Sequence, residues 1–328
     1  MSEFNGNEPA IAKYEKILPR YQRLAKEVQD ILEVKFAEMA FAPVAVTHRP
    51  KTIDSFADKI SRKQYTDPLS QMTDLAGVRV VCTYESELAD AAKTIETNFL
   101  VHEPIDKSRD LGVDRMGYRG KAFVVSLGKS YAGGRYDNIT DLKCEIQVRT
   151  ILQDAWAIIS HKLVYKNEES IPEHIRRDVN KVALLLEIAQ TIFDSVNEKR
   201  TVYLGEIQRK EENPSDFLAQ PLDLDTVMAY ARRKYPDLEA SEKITQLLLS
   251  DINLKKYTTL RHLNDVVDRA RPAVEAYQKE NPDWFETGTD FLTKSLGFID
   301  QEFRTKHAFG QKTRIAFEKF ESLISVDK

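Results

Sequence analysis

Residues 142–149, LKCEIQVR, alternate between apolar and polar without a break. Leu142, Cys144, Ile146 and Val148 fall on one face of an extended chain; Lys143, Glu145, Gln147 and Arg149 fall on the other. The apolar face must be covered by other parts of the chain. Glu145, Gln147 and Arg149, three polar side chains in a row on that opposite face, are costly in a core. That face therefore reads as the wall of a cleft or as a face turned to water.

Two further β-rich runs, GVRVVCTY (77–84) and KAFVVSL (121–127), supply partners for a small sheet. Helical spacing surrounds them. Ile17, Tyr21, Leu24, Val28 and Ile31 recur at three- and four-residue steps within 10–39, and Ile53, Phe56 and Ile60 line one face of 52–63. Residues 86–98, 150–166 and 172–204 also read as helices. FAPVAVTHRPKT reads as extended or looped because of its prolines, and 128–141 as a turn region.

From residue 217 onward no convincing strand is legible. Leu224, Val227, Met228 and Ala231 predict one helix, Ile244, Leu247 and Leu248 a second, and Leu263, Val266, Val267 and Ala270 a third, with one or two more after about 284. The polar stretch QRKEENPSD (208–216) reads as a linker. The expected class is α+β. A small mixed sheet flanked by helices occupies residues 1–207, and an all-α module occupies 217–328, with a regulatory or inhibitory role.

Charge and composition narrow the function. The chain carries 48 Lys and Arg against 52 Asp and Glu, a net charge of −4, so no global basic field points to nucleic acid. Its apolar runs, such as Val182–Leu186, are too short to span a bilayer, and MSEFNGNEPA has neither the basic flank nor the apolar stretch of an export signal. Cys82 and Cys144 sit inside apolar runs and read as core residues of a reduced, cytoplasmic protein, not as a disulfide or a zinc site.

Four clusters have chemical potential. Arg49 and Lys51 lead into a helix on which Ser55 and Lys59 share a face; cations, a hydroxyl and a helix N-terminus can grip a polyphosphate, though a solvated helix face has the same look. Asp74 precedes a strand that carries Arg79 on the face opposite Val78, Val80 and Cys82. A guanidinium there pairs with a carboxylate or stacks on a planar ligand. Glu145, Gln147 and Arg149 form the polar strand face, and Asp74 with Glu145 could share one Mg²⁺. Asp154, His161 and Tyr165 line one stripe of the next helix, followed by Lys166. Between these, Gly117-Tyr118-Arg119-Gly120 frees an exposed ring beside a cation, a base-stacking platform or a plain turn.

In order, RxKxxxSxxxK, DLAGVR, GYR, EIQVRT and a helix with W…H…YK resemble the synthetase domain of the RelA/SpoT alarmone family, over about residues 20–200. The resemblance implies a nucleotidyltransferase-like domain that moves the β,γ-pyrophosphate of ATP to a ribose 3′-hydroxyl of GDP or GTP, giving ppGpp or pppGpp and AMP. It implies that Arg49 and Arg79 sandwich the adenine, that Lys51, Ser55 and Lys59 grip the phosphates, and that Asp74 and Glu145 hold Mg²⁺. Glu145 is also placed by it to help deprotonate the acceptor, and Tyr118 to stack on the acceptor base. Gln147, Arg149, Asp154 and Lys166 fall at polar positions on the acceptor side.

The sequence departs from the family pattern in GYRGKA: Gly120 stands where Ser is common and Ala122 where His is. Asp154 stands where many guanine-using members have Asn or His. These departures fall on the acceptor. They keep open the chemistry of toxin relatives, which use adenine nucleotides or the 3′ end of tRNA, with Lys162, Lys166, Arg176, Arg177 and Lys181 as a local basic patch. A non-catalytic nucleotide sensor is a further alternative. The chain contains no His-Asp dipeptide, the metal signature of the family's hydrolase domains, so a synthetase without hydrolase is expected. Self-association is left open.

Overall fold

The computed structural model describes residues 8–39, 42–63, 65–106, 120–163 and 172–324. It divides into two compact units, residues 1–198 and 199–328.

The first unit opens with α1 (Glu8–Ala37), a thirty-residue helix. β1 (Ala45–His48), α2 (Ile53–Arg62), the single turn α3 (Pro68–Gln71) and β2 (Ala76–Cys82) follow, then α4 (Glu85–Asn98), β3 (Phe99–Asp106), β4 (Lys121–Leu127) and β5 (Cys144–Thr150). α5 (Ile151–Leu163) leaves β5 directly, and α6 runs Glu173–Lys210. The sheet has the order β1-β2-β5-β4-β3, with β2 and β5 parallel and every other pair antiparallel.

The expected alternation sets the layers. Ala76, Val78, Val80 and Cys82 of β2, Cys144, Ile146 and Val148 of β5, and Phe123, Val125 and Leu127 of β4 join one core. The α1 stripe closes it with Tyr14, Tyr21, Leu24, Val28, Ile31 and Phe36, all buried. Each such large apolar side chain contributes about 1.5–3 kcal/mol by leaving water. The other sheet face carries Gly77 and Arg79 on β2 beside Glu145, Gln147 and Arg149 on β5. Both cysteines are free and buried, as read; burial pushes the Cys82 thiol up to about 12 and raises that of Cys144 as well.

Two strands were not legible as such. β1 is the extended stretch after Pro43, only four residues long. β3 leaves α4 without an intervening turn and contains Pro104; it sits at the sheet edge with a register shift between Val101 and Glu103. A proline is tolerated in an edge strand, where it need not donate to a neighbour.

The second unit is helical, as expected, with Pro221–Thr259 as an isolated bridge. Beyond the end of α6 it contains α7 (Pro214–Leu218), α8 (Leu224–Lys234), α9 (Glu242–Asp251), α10 (Leu260–Glu280), α11 (Gly288–Ile299), α12 (Gln301–Lys306) and α13 (Gln311–Phe320). The expected linker 208–216 is a correction. Gln208–Lys210 end α6, and Pro214 takes the first position of α7, where its missing N–H costs nothing. The Asn213 side chain caps that turn by accepting from Ser215 N at 3.0 Å. The division between the units falls inside α6 instead.

Candidate active site

Three polar groups of the first unit are built around β2, β5 and the segments next to them. Chain 49–51 prolongs the β1–β2 pairing: Arg49 N–H donates to Gly77 O at 2.7 Å, and Lys51 N–H to Leu75 O at 3.0 Å. A Cβ at Gly77 would lie 3.0 Å from Arg49 O, so the glycine allows this close approach. Thr52 then caps α2, its hydroxyl accepting from Ser55 N at 3.2 Å and donating to Ser55 Oγ at 2.8 Å. Phe56 and Ile60 anchor the buried side of α2, leaving Ser55 exposed and Lys59 half-buried.

The first cluster centres on Asp74. Its Oδ2 lies 2.8 Å from Lys51 Nζ and 2.8 Å from Lys59 Nζ. Burial works to raise its pKa, but hydrogen bonds and charge from the two lysines outweigh this and hold the carboxyl below its usual range. Asp74 Oδ1 is buried with no hydrogen-bond partner. A buried carboxylate oxygen with spare acceptor capacity fits a hard cation. Among the described residues no three His, Cys, Asp or Glu side chains gather into a metal cage. Two carboxylates completed by substrate phosphates are what Mg²⁺ commonly takes.

β5 carries the second group. The pairing puts Gly77 on one side of Glu145 and Val124 on the other, and puts Gln147 between Arg79 and Ala122. Glu145 is 6% exposed, and its Oε1 accepts from Gln147 Nε2 at 2.6 Å. Ala122, at the position marked as a departure, is thus the small neighbour of Gln147.

A third group joins β2, β5 and α5. Arg79 Nη1 lies 3.0 Å from Asp154 Oδ1 and donates to Oδ2 at 3.3 Å; Arg149 Nη1 lies 3.7 Å from Oδ1. Burial, then the charge of Arg79, lowers the Arg149 pKa from its ordinary value.

Ten of the twelve sequence-derived site residues are therefore described. Asp74 gathers Lys51 and Lys59, Asp154 gathers Arg79 and Arg149, and Glu145 holds Gln147. Arg49 and Ser55 are placed by backbone pairing and capping. Tyr118 and Lys166 lie outside the described residues. One contributor was missed: Tyr14 on α1 is fully buried, stacks on Phe56 with ring centroids 4.3 Å apart, and donates to Lys51 O at 2.7 Å. Extending the α1 stripe one step before Ile17 would have reached it.

The family model described as a region found in RelA / SpoT proteins matches residues 48–170. Those residues are similar to that region. All twelve candidate positions fall inside it. The chain is 26% identical over 207 residues to GTP pyrophosphokinase YjbM of Bacillus subtilis, covering 61% of this chain and 92% of that protein. It is 27% identical over 143 residues to GTP pyrophosphokinase YwaC of the same organism, covering 41% of this chain and 64% of YwaC, less than two thirds of its length. The crystal structure of small alarmone synthetase 1 from Bacillus subtilis aligns with a TM-score of 0.49 and 22% identity, over 58% of this chain and 98% of that one. The matched region stops short of the second unit.

Proposed function

We propose that this chain is a pyrophosphokinase that moves the β,γ-pyrophosphate of ATP to the ribose 3′-hydroxyl of GDP or GTP. The observation that carries this reading is the Asp74 carboxylate held by Lys51 and Lys59, just ahead of the strand that pairs with the one carrying the buried Glu145. Lys51 beside the capped start of α2 and Lys59 in its last turn, both on one carboxylate, suit a polyphosphate, and the pyrophosphokinase relatives favour the guanine nucleotides.

In the reaction the 3′-oxygen forms a bond to the β-phosphorus and the bond from that phosphorus to the α-bridging oxygen breaks. AMP leaves with the electron pair. Glu145 takes the hydroxyl proton, with Gln147 holding its Oε1. Lys51 and Lys59 bind and orient the chain of phosphates, and Arg49 and Arg79 hold the adenine. Mg²⁺, when bound through Asp74 and Glu145, would neutralise phosphate charge. Little covalent work falls to the protein, so positioning and charge stabilisation carry most of the rate.

The acceptor is tested by offering GDP, GTP, adenine nucleotides and bulk tRNA separately, with Mg²⁺ and ATP labelled in its γ-phosphate. Label moving to GDP or GTP supports the reading. Label only in tRNA or only in adenine nucleotides replaces the acceptor. ATP binding without transfer to any of them favours a nucleotide sensor.

A further inference from the structure

Asp154 lies in the first turn of α5, and its carboxylate meets two guanidiniums from different strands. Arg79 Nη1 of β2 donates to Oδ2 at 3.3 Å and forms an ion pair with Oδ1 at 3.0 Å, and Arg149 of β5 approaches Oδ1 at 3.7 Å, though Oδ1 itself accepts no hydrogen bond. Two arginines on one sheet face repel, and the Arg79 charge is among the causes that lower the Arg149 pKa. Asp154 is the carboxylate between them. All three side chains are shielded, at 27%, 15% and 18% exposure for Arg79, Asp154 and Arg149, so solvent screens the arrangement only in part.

Gly120 belongs to the same arrangement. Its strand pairs Lys121 with Val148, so Gly120 falls opposite Arg149. A Cβ there would lie 2.4 Å from Arg149 Cγ and 2.3 Å from Val148 O. The stem of Arg149 occupies the space a side chain at 120 would need.

A guanidinium has a donor edge and a flat face. With its edge engaged by a carboxylate, the face remains for a planar ring. Without that partner, the edge turns to phosphate oxygens, for which it is well shaped. We propose that Asp154 is a positioning residue that holds Arg79 edge-on and so commits it to the donor base, with Arg149 and Gly120 completing the clamp. This rests on the pyrophosphokinase reading and deepens its donor side. Asp154 thereby serves selection of a nucleoside triphosphate over a bare polyphosphate.

Calorimetry on the full chain with a non-hydrolysable ATP analogue and with inorganic tripolyphosphate, both with Mg²⁺, tests the clamp. Asp154→Asn is expected to weaken the ATP analogue about tenfold, the worth of one ring–cation contact. Tripolyphosphate binding should hold or tighten, because the site gains positive charge. Asp154→Glu should restore part of the ratio, which a general loss of structure would not allow. If Asp154→Asn melts early, Arg79→Lys replaces it: the charge stays, the flat face goes, and the same fall in ratio is expected. An unchanged ratio in the folded variant overturns the clamp alone. So does weakened GDP or GTP binding with ATP binding intact, which would make Asp154 an acceptor contact. A wild-type chain that binds neither probe overturns the pyrophosphokinase reading and the clamp with it.

Discussion

The Lys59 ammonium in the last turn of α2 lies 2.8 Å from Asp74 Oδ2, just ahead of β2, so a helix end and a strand start are joined by one ion pair. The folded carboxyl is held below its usual range. Such a group contributes stability above the unfolded carboxyl value, about 4, and loses it as pH falls through the lower folded value. The difference in urea midpoint between wild type and Asp74→Asn should therefore be constant from about pH 5 to 8 and shrink below about pH 4. A difference that widens on acidification contradicts the ion pair.

Tyr14→Phe keeps the buried ring against Phe56 and removes the hydrogen bond to Lys51 O. The cost should be about 1–2 kcal/mol in urea denaturation, because a carbonyl loses its donor in a shielded place. The KM for ATP should rise while kcat changes little, since the Tyr14 hydroxyl touches only the backbone that carries Lys51. An unchanged stability would remove Tyr14 from the support of the site.

How far the sequence could lead depends on what kind of force placed each residue. Glu145, Gln147 and Arg149 were legible because strand alternation is a local rule, and burial of Cys144, Ile146 and Val148 enforces it. Ser55 and Lys59 followed from helix spacing in the same way. The Arg79–Asp154–Arg149 group was not legible, because it joins residues 75 positions apart through α5 packing on the sheet. β3 was missed because Pro104 looks like a breaker unless the strand is known to lie at an edge. The break at Pro214 misled in the opposite direction, since that proline starts a helix.

Gly120→Ala tests the fit between β4 and β5. The added methyl meets Val148 O, which is backbone and cannot swing aside. A loss of about 1–3 kcal/mol is expected from overpacking. Stability equal to wild type would mean that the strand ends are farther apart than described.

The second unit has its own test at Gly297 of α11. A Cβ there would lie 2.3 Å from Phe317 Cζ and 2.9 Å from Phe309 Cζ, and Phe317 is fully buried. The chain has two tryptophans, Trp156 in the first unit and Trp284 in the second, so a Trp156→Phe background reports the second alone. In that background Gly297→Ala should lower the fluorescence melting temperature by about 4–8 °C for each kcal/mol of overpacking. No shift would contradict the packing of α11 on α13.

Pyrophosphate transfer itself is tested most directly by following the fate of ATP with the acceptor that takes label. AMP should form one for one with a product carrying both transferred phosphates, and Glu145→Gln should lower kcat by about a hundredfold or more while its melting curve matches wild type. Formation of ADP with a singly phosphorylated product, or wild-type turnover in Glu145→Gln, would contradict it.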